Sequence, residues 1–158
     1  MEHRTFRDLP EYFGPGDLMV ANNSKVIPAR FVGRRVLEGG AEGGRFECVL
    51  LEPLSPLEWE TLCGSSVRQR AGIRFRVGRL EGELLGEPSS AGTVRVRFSE
   101  DPVRSGLGEI PIPSYIGRDV GKSDAESYQT VYAREEGSAA APTAGLHFTP
   151  RVLDALRA

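Results

Sequence analysis

The 158-residue chain has few of the residues that build metal centres and disulfide frameworks: two cysteines, two histidines and one tryptophan. Cys48 and Cys63 have no nearby Cys or His at a ligand spacing, so neither a zinc-type cluster nor a disulfide scaffold is expected. Their apolar, strand-like surroundings mark them as reduced core thiols. No metal is expected. Lysine is almost missing, since Lys25 and Lys122 are the only lysines among the 20 basic residues. Long apolar runs are missing as well. No stretch reaches the roughly 20 residues needed to span a bilayer, and Arg4, Arg7 and Asp8 interrupt the N-terminus before a signal-peptide core can form. A cytoplasmic protein with no membrane partner is therefore expected. Net charge is −2, which removes any general cationic field, so a nucleic-acid contact must come from local patches. Arginine suits bidentate phosphate contacts, but a GC-rich genome produces the same arginine excess.

An apolar content of 39% supports a real core in one domain, or one domain with part of a second. After turn signals at Gly14, Pro15 and Gly16, the run Asp17–Ala21 reads as a short strand buried on both faces. Asn22-Asn23-Ser24 ends it. From Ala29 to about Phe98 the pattern alternates with period two. Phe46, Cys48 and Leu50 lie on one face. Ile73, Phe75 and Val77 oppose Arg74 and Arg76, and Val94, Val96 and Phe98 oppose Arg95 and Arg97. Glycine-rich breaks fall between these runs, which predicts an antiparallel sandwich or small barrel.

Beyond Pro102 the alternation stops, and Pro111 and Pro113 make an extended segment unsuited to a sheet interior. Ser123-Asp124-Ala125-Glu126 fits a capping box, predicting a helix to about Arg134 that stops near Gly137. Thr149 as N-cap and Pro150 at the first helical position start a second helix. Its stripe of Val152, Leu153 and Leu156 needs a surface to cover it. The expected fold class is a partial α/β layer with an inserted small antiparallel β-barrel domain. Residues 1–30 form the first part of the α/β domain, 31–112 the barrel, and 113–158 a truncated return to the α/β domain.

Chemistry concentrates in Gly137–Thr149. Its small residues allow a ligand to approach the backbone, and it runs into a helix N-terminus, where amides favour anions. A histidine side chain is suited to proton transfer, which makes His147 a candidate acid or base. The same residues also fit a tight Ala/Gly packing seam with a core histidine. On the expected helix, Tyr128 and Tyr132 lie four apart on one face with Gln129 between them, which suits either stacking on a purine or a half-buried core. Asp17 can hydrogen-bond a loop, orient a ribose or accept a proton. Arg74, Arg76, Arg95 and Arg97 fit either a phosphate patch or a solvated sheet face balanced by Glu81 and Glu83, and the solvated face is favoured.

Read in order, several segments resemble the S-adenosylmethionine:tRNA ribosyltransferase-isomerase family of queuosine biosynthesis. They are Glu2–Leu9, Gly16–Asn22, Val26–Arg30, Gly108–Ile116, Tyr128–Ala133 and, most specifically, Ala140–Thr149. The barrel region matches only in pattern, through Gly43–Glu47 and Trp59. Asn22-Asn23-Ser24-Lys25 departs from the family's Asn-Asp-Thr-Arg run, which puts Asn23 and Lys25 in doubt as functional positions. The resemblance covers nearly all of this chain but about half of the family's length. The expectation is a partial chain whose missing halves come from another chain or from self-association.

The resemblance implies transfer and isomerisation of the ribosyl part of S-adenosylmethionine, as co-substrate, onto 7-aminomethyl-7-deazaguanine in tRNA. The product is epoxyqueuosine-tRNA, with adenine and methionine released. Such a reaction needs a base for the carbon next to the sulfonium, an acid for departing adenine, and stabilisation of a developing oxyanion. On matching positions, His147 and Asp17 are the catalytic candidates. Asn22, Arg30, Tyr115, Tyr128, Gln129, Tyr132, Pro142, Thr143 and Gly145 are the substrate-binding ones. The alternative is a non-catalytic RNA-binding or structural fragment of such an enzyme.

Overall fold

A computed structural model describes residues 2–65, 68–112 and 128–157. Strand β1 (Ser24–Val26) leads into the alternating region, which closes into a barrel. Its six strands are β2 (Arg30–Val36), β3 (Glu42–Pro53), β4 (Glu58–Ser65), β5 (Arg74–Val77), β6 (Leu80–Leu84) and β7 (Thr93–Phe98). They neighbour one another in the order β2-β3-β4-β7-β6-β5, all antiparallel. Pairing of Arg34–Val36 with Arg74–Arg76 then joins β2 to β5 and leaves no edge strand.

The period-two pattern becomes an inside and an outside, as expected. Phe75 and Val77 point into the barrel while Arg74 and Arg76 face solvent, and Val94, Val96 and Phe98 repeat this on β7. Four phenylalanines fill the interior. Phe46 stacks on Phe75 at 4.2 Å, and Phe98 meets Phe75 edge-on and Phe31 at a tilt, each at 6.0 Å. Offset and edge contacts of this kind add to the burial energy of the rings. Thr61 is buried among them because its hydroxyl donates to the Val94 carbonyl at 2.8 Å. Gly82 is needed here: a Cβ at this position would overlap the Phe75 ring. On the outer face Arg76 pairs with Glu81 and Arg97 with Glu58, so the solvated, charge-balanced reading holds there with Glu58 as the partner of Arg97.

Outside the barrel, β1 pairs in parallel with β8 (Glu135–Ser138). A one-turn 3-10 helix at Thr143–His147 and helix α1 (Pro150–Arg157) follow. The α1 start behaves as expected, with the Val152 amide donating to the Thr149 hydroxyl at 3.3 Å. Its stripe is covered by a 3-10 stretch at Phe6–Tyr12 and the loop after it. Among the described residues no helix is long and apolar enough to cross a membrane.

Two expected elements differ. Asp17–Ala21 is not a strand, and Leu18 and Val20 are 85% and 86% exposed. An apolar run becomes a buried strand only where neighbours take its backbone groups, and among the described residues no strand pairs with it. The helix expected to reach Arg134 has residues 113–127 outside the described part, and Tyr128–Arg134 forms turns instead. The reason is tertiary. The amides of Arg134 and Glu135 donate to the Asn23 carbonyl, at 2.7 and 3.2 Å, rather than to a carbonyl four residues back.

The close fit at Gly82 generates a test. Gly82→Ala is expected to destabilise the barrel by about 1–3 kcal/mol through overpacking against Phe75. Gly86→Ala, where a Cβ meets open space, should cost less than about 0.5 kcal/mol. Urea unfolding followed by fluorescence would read both midpoints.

Candidate functional site

The small-residue run makes a sharp turn because nothing in it is bulky. The amide of Gly145 donates to the Pro142 carbonyl at 2.7 Å, and that of Phe148 to the Gly145 carbonyl at 3.2 Å. Gly145 is buried, and a Cβ there would overlap the Tyr132 hydroxyl and crowd the Thr130 methyl. Thr143 and Ala144 stay exposed. The turn is thus a packing seam on one side and an open backbone on the other. It carries His147 to the surface, where the imidazole lies 5.4 Å from the Phe6 ring. Phe6 meets Phe148 edge-on at 4.8 Å, and Phe148 meets Tyr132 edge-on at 5.8 Å. This chain of rings ties His147, Tyr132 and the N-terminal stretch into one cluster.

Between the N-terminal 3-10 stretch and α1 lies a cleft of about 750 Å³, lined by Thr5, Asp8, Glu11, His147, Arg151 and Val152 among others. Asp8 is held rigidly. The backbone amide and the hydroxyl of Thr5 each donate to its Oδ2 at 2.9 Å. These bonds, aided by the nearby charges of Arg4 and Arg7, keep its carboxyl below the ordinary aspartate range. The cleft therefore offers an imidazole, a fixed carboxylate and the cations of Arg7 and Arg151. Such a set can seat a zwitterionic ligand and move a proton beside it.

The other sequence candidates are distributed. Asp17 lines a separate cleft of about 220 Å³ with Met19, Leu153 and Leu156, and its carboxylate accepts from the Gly14 amide at 2.8 Å. The Asn22 side chain accepts from the Ser24 amide at 2.7 Å and from the Ser24 hydroxyl. Arg30 is clamped between carboxylates, Nε on Glu47 at 2.8 Å and Nη1 on Glu109 at 2.9 Å. Tyr128 is buried beside Val26, Ile110 and Ala141. Gln129 is engaged by the chain itself: its Oε1 accepts from the Val26 amide at 3.0 Å, and its Nε2 donates to the Val26 carbonyl at 2.7 Å. Tyr128 and Tyr132 therefore do not share a helix face. Tyr128 packs toward β1 and Tyr132 toward Gly145. Pro142 is half-buried at the entry to the His147 turn. Tyr115 lies outside the described residues.

A family model described as "Queuosine biosynthesis protein" matches residues 1–158. The chain belongs to that family. Among its relatives is an S-adenosylmethionine:tRNA ribosyltransferase-isomerase of Desulforamulus reducens, 43% identical over 99% of this chain and 46% of the relative. One of the same name from Symbiobacterium thermophilum is 46% identical over 100% of this chain and 46% of its own length. A crystal structure of the S-adenosylmethionine tRNA ribosyltransferase of Thermotoga maritima aligns at 29% identity with a TM-score of 0.41, covering 99% of this chain and 41% of that one. The chain spans about half the length of the curated relatives it matches.

Within this queuosine-family chain, sequence reasoning missed Phe6, Asp8 and Arg151 as cleft residues. A signal for Asp8 was present, because Thr5-x-x-Asp8 has the spacing of a capping box. Phe6 and Arg151 carry no local signal, since the cleft exists only once the N-terminal stretch lies against α1.

The clamp on Arg30 has a pH signature. Hydrogen bonding and charge from Arg30, with Arg45 assisting, hold the Glu47 carboxyl below the ordinary glutamate value of 4.5, against the opposing effect of partial burial. A depressed folded-state pKa contributes stability above the unfolded value, and that stability is lost as pH falls through the folded one. Glu47→Gln is therefore expected to cost about 1 kcal/mol at pH 7. The gap from wild type should narrow as pH drops below 4.5, as urea midpoints measured from pH 7 to pH 3 would report.

Proposed function

We propose that this chain takes part in transferring and isomerising the ribosyl moiety of S-adenosylmethionine onto 7-aminomethyl-7-deazaguanine in tRNA, giving epoxyqueuosine-tRNA. The observation that carries the reading is the His147 cleft, within a chain that matches the queuosine family along its whole length. S-adenosylmethionine brings a sulfonium, an α-amino group and a carboxylate. The cleft's fixed Asp8 complements the cations, and Arg7 and Arg151 complement the carboxylate. His147 moves the proton next to the sulfonium, where the positive sulfur acidifies the carbon, or delivers one to departing adenine. The exposed backbone at Thr143, beside Pro142 and Gly145, faces the ligand, and Tyr132 flanks it.

Asn22, Tyr115, Tyr128 and Gln129 are proposed to shape the base-binding side. In this reading Gln129 and Tyr128 act by holding β1 in place. Asp17 and Arg30 retain the roles of a second acid–base group and a ribose or carboxylate contact, Arg30 after exchange of one carboxylate partner. The proposed division assigns residues 1–30 and 128–157 to the α/β part and 31–112 to the barrel. The partners are S-adenosylmethionine and tRNA, in the cytoplasm. A second reading, an RNA-binding or structural fragment that associates with the rest of an enzyme or with itself, is favoured by one observation: the exposed Leu18 and Val20.

Adenine release from S-adenosylmethionine in the presence of tRNA bearing the aminomethyl-deazaguanine, followed by mass spectrometry, separates the two readings. The proposal expects tRNA-dependent adenine release that falls by about 10²-fold or more in His147→Ala. Release that is unchanged in the variant would remove His147 from proton transfer. No release at all from the wild-type chain would leave the fragment reading.

A further inference from the structure

Charges on the barrel wall are mostly matched: Arg76 sits on Glu81 at 2.7 Å, Arg97 on Glu58 at 2.8 Å and Arg45 on Glu47 at 3.1 Å. One end of the barrel departs from this. Arg35 is the register partner of Phe75, whose ring is fully buried in the core. Directly paired residues of antiparallel strands share a face, so the Arg35 side chain enters the barrel mouth rather than the outer wall. It is half-buried, its Nε is buried without a hydrogen-bond partner, and no carboxylate among the described residues pairs with it. A guanidinium carries five donors and cannot shed its charge. Desolvating it without an anion is unfavourable, so an anion that enters the mouth gains more there than on the open wall.

The surroundings add to the same charge. Arg35 borders a cleft of about 480 Å³ that is also lined by Arg70 and Arg74, with Glu38 as its acidic residue. Arg70 has no ion pair among the described residues, and the contact of Arg74 with Glu81 is long, 3.8 Å. The turn between them is fixed, because Gly72 at φ 81° donates its amide to the Leu84 carbonyl at 2.9 Å. The backbone that carries Arg70 and Arg74 to the lining of the cleft is thus anchored, while their side chains stay exposed. Three guanidinium-bearing residues lining one cleft, with a volume larger than one small anion, suit a tetrahedral, multiply charged oxyanion.

We propose that the barrel mouth at Arg35, Arg70 and Arg74 is a phosphate-binding site that takes a backbone phosphate of the RNA substrate. The proposal rests on the tRNA reading above and deepens it, giving the barrel the task of gripping the nucleic acid away from the His147 cleft. A free polyphosphate has the same chemistry, and the test separates the two sources.

The full chain would be titrated into a fluorescently labelled RNA hairpin across a salt series, and its thermal unfolding followed with and without inorganic tripolyphosphate. The double variant Arg70→Gln/Arg74→Gln changes two exposed side chains, and Arg97→Gln serves as the control. The double variant should bind the hairpin at least about tenfold more weakly. Its slope of log K against log salt should be shallower by about 1–2, as expected for one or two lost phosphate contacts. Arg97→Gln should stay within about twofold, and Glu38→Gln should bind more tightly. Arg35→Met should weaken binding while raising Tm by a few degrees, since it removes a half-buried unpaired charge. A lower Tm with unchanged binding would make Arg35 a structural residue and contradict the proposal.

If tripolyphosphate raises Tm in wild type but not in the double variant, and hairpin affinity is the same in both, the site takes free phosphate rather than RNA. If neither probe distinguishes the double variant from wild type, the site does not exist. Arginine-dependent hairpin binding without adenine release would leave this site standing and remove the catalytic reading.

Discussion

The side-chain amide of Gln129 lies across both main-chain groups of Val26, and the rest of the arrangement depends on that contact. It fastens residues 128–138 to the strand that precedes the barrel, and the parallel β1–β8 pair continues the fastening. The amide of Ile27 then donates to the Ser138 carbonyl at 3.0 Å. Just beyond, Arg30 and Glu109 exchange backbone hydrogen bonds at 3.0 and 2.7 Å, and the Arg30 guanidinium reaches the Glu109 carboxylate. The barrel therefore hangs from a neck at which its entering and leaving segments are tied together. The tie also brings the Gly145 turn onto Tyr132, and the Phe6–Phe148–Tyr132 ring contacts then set His147 against the N-terminal stretch. The His147 cleft is assembled from segments more than 100 residues apart, so its geometry is only as well defined as the neck.

The barrel contrasts with this neck in the kind of physics that holds it. Its closure rests on interior rings and on a ladder without a free edge, and both are local consequences of alternation. Its charged outer wall is largely self-neutralising, so exposed pairs there contribute little individually. At one mouth Arg35 and Arg70 have no ion pair among the described residues, and Arg74 reaches Glu81 only at 3.8 Å. In the proposed reading, proton chemistry belongs to the neck-supported cleft and anion capture to the barrel mouth.

Legibility followed the range of the interactions. The barrel was readable because each of β5, β6 and β7 carries its own inside–outside pattern, as Arg74-Phe75-Arg76-Val77 does within four residues. The α1 start was readable because Thr149 and Pro150 act on their own helix. Asp17–Ala21 was misread because a buried-strand pattern describes the residues and not their neighbours, and Leu18 and Val20 find no partner strand among the described residues. Tyr128–Arg134 was misread for the opposite reason, since Asn23 and Val26 take up its hydrogen-bonding groups from a distance. Of the candidate residues, His147, Gly145 and Tyr132 lie together around one turn. The position of Asp17 in a second cleft, and the engagement of Arg30 and Gln129 by the chain itself, follow from packing that no local spacing encodes.

The neck is tested most directly by amide hydrogen exchange at Val26 and Ile27. In the wild-type chain both amides should be protected to a degree comparable with Leu50 in the barrel. In Gln129→Leu that protection should fall by about 10-fold or more, corresponding to at least 1.4 kcal/mol of local opening, while Leu50 and Phe98 stay unchanged. Val26 and Ile27 exchanging at unprotected rates in the wild type would contradict the account, because the cleft would then have no fixed support.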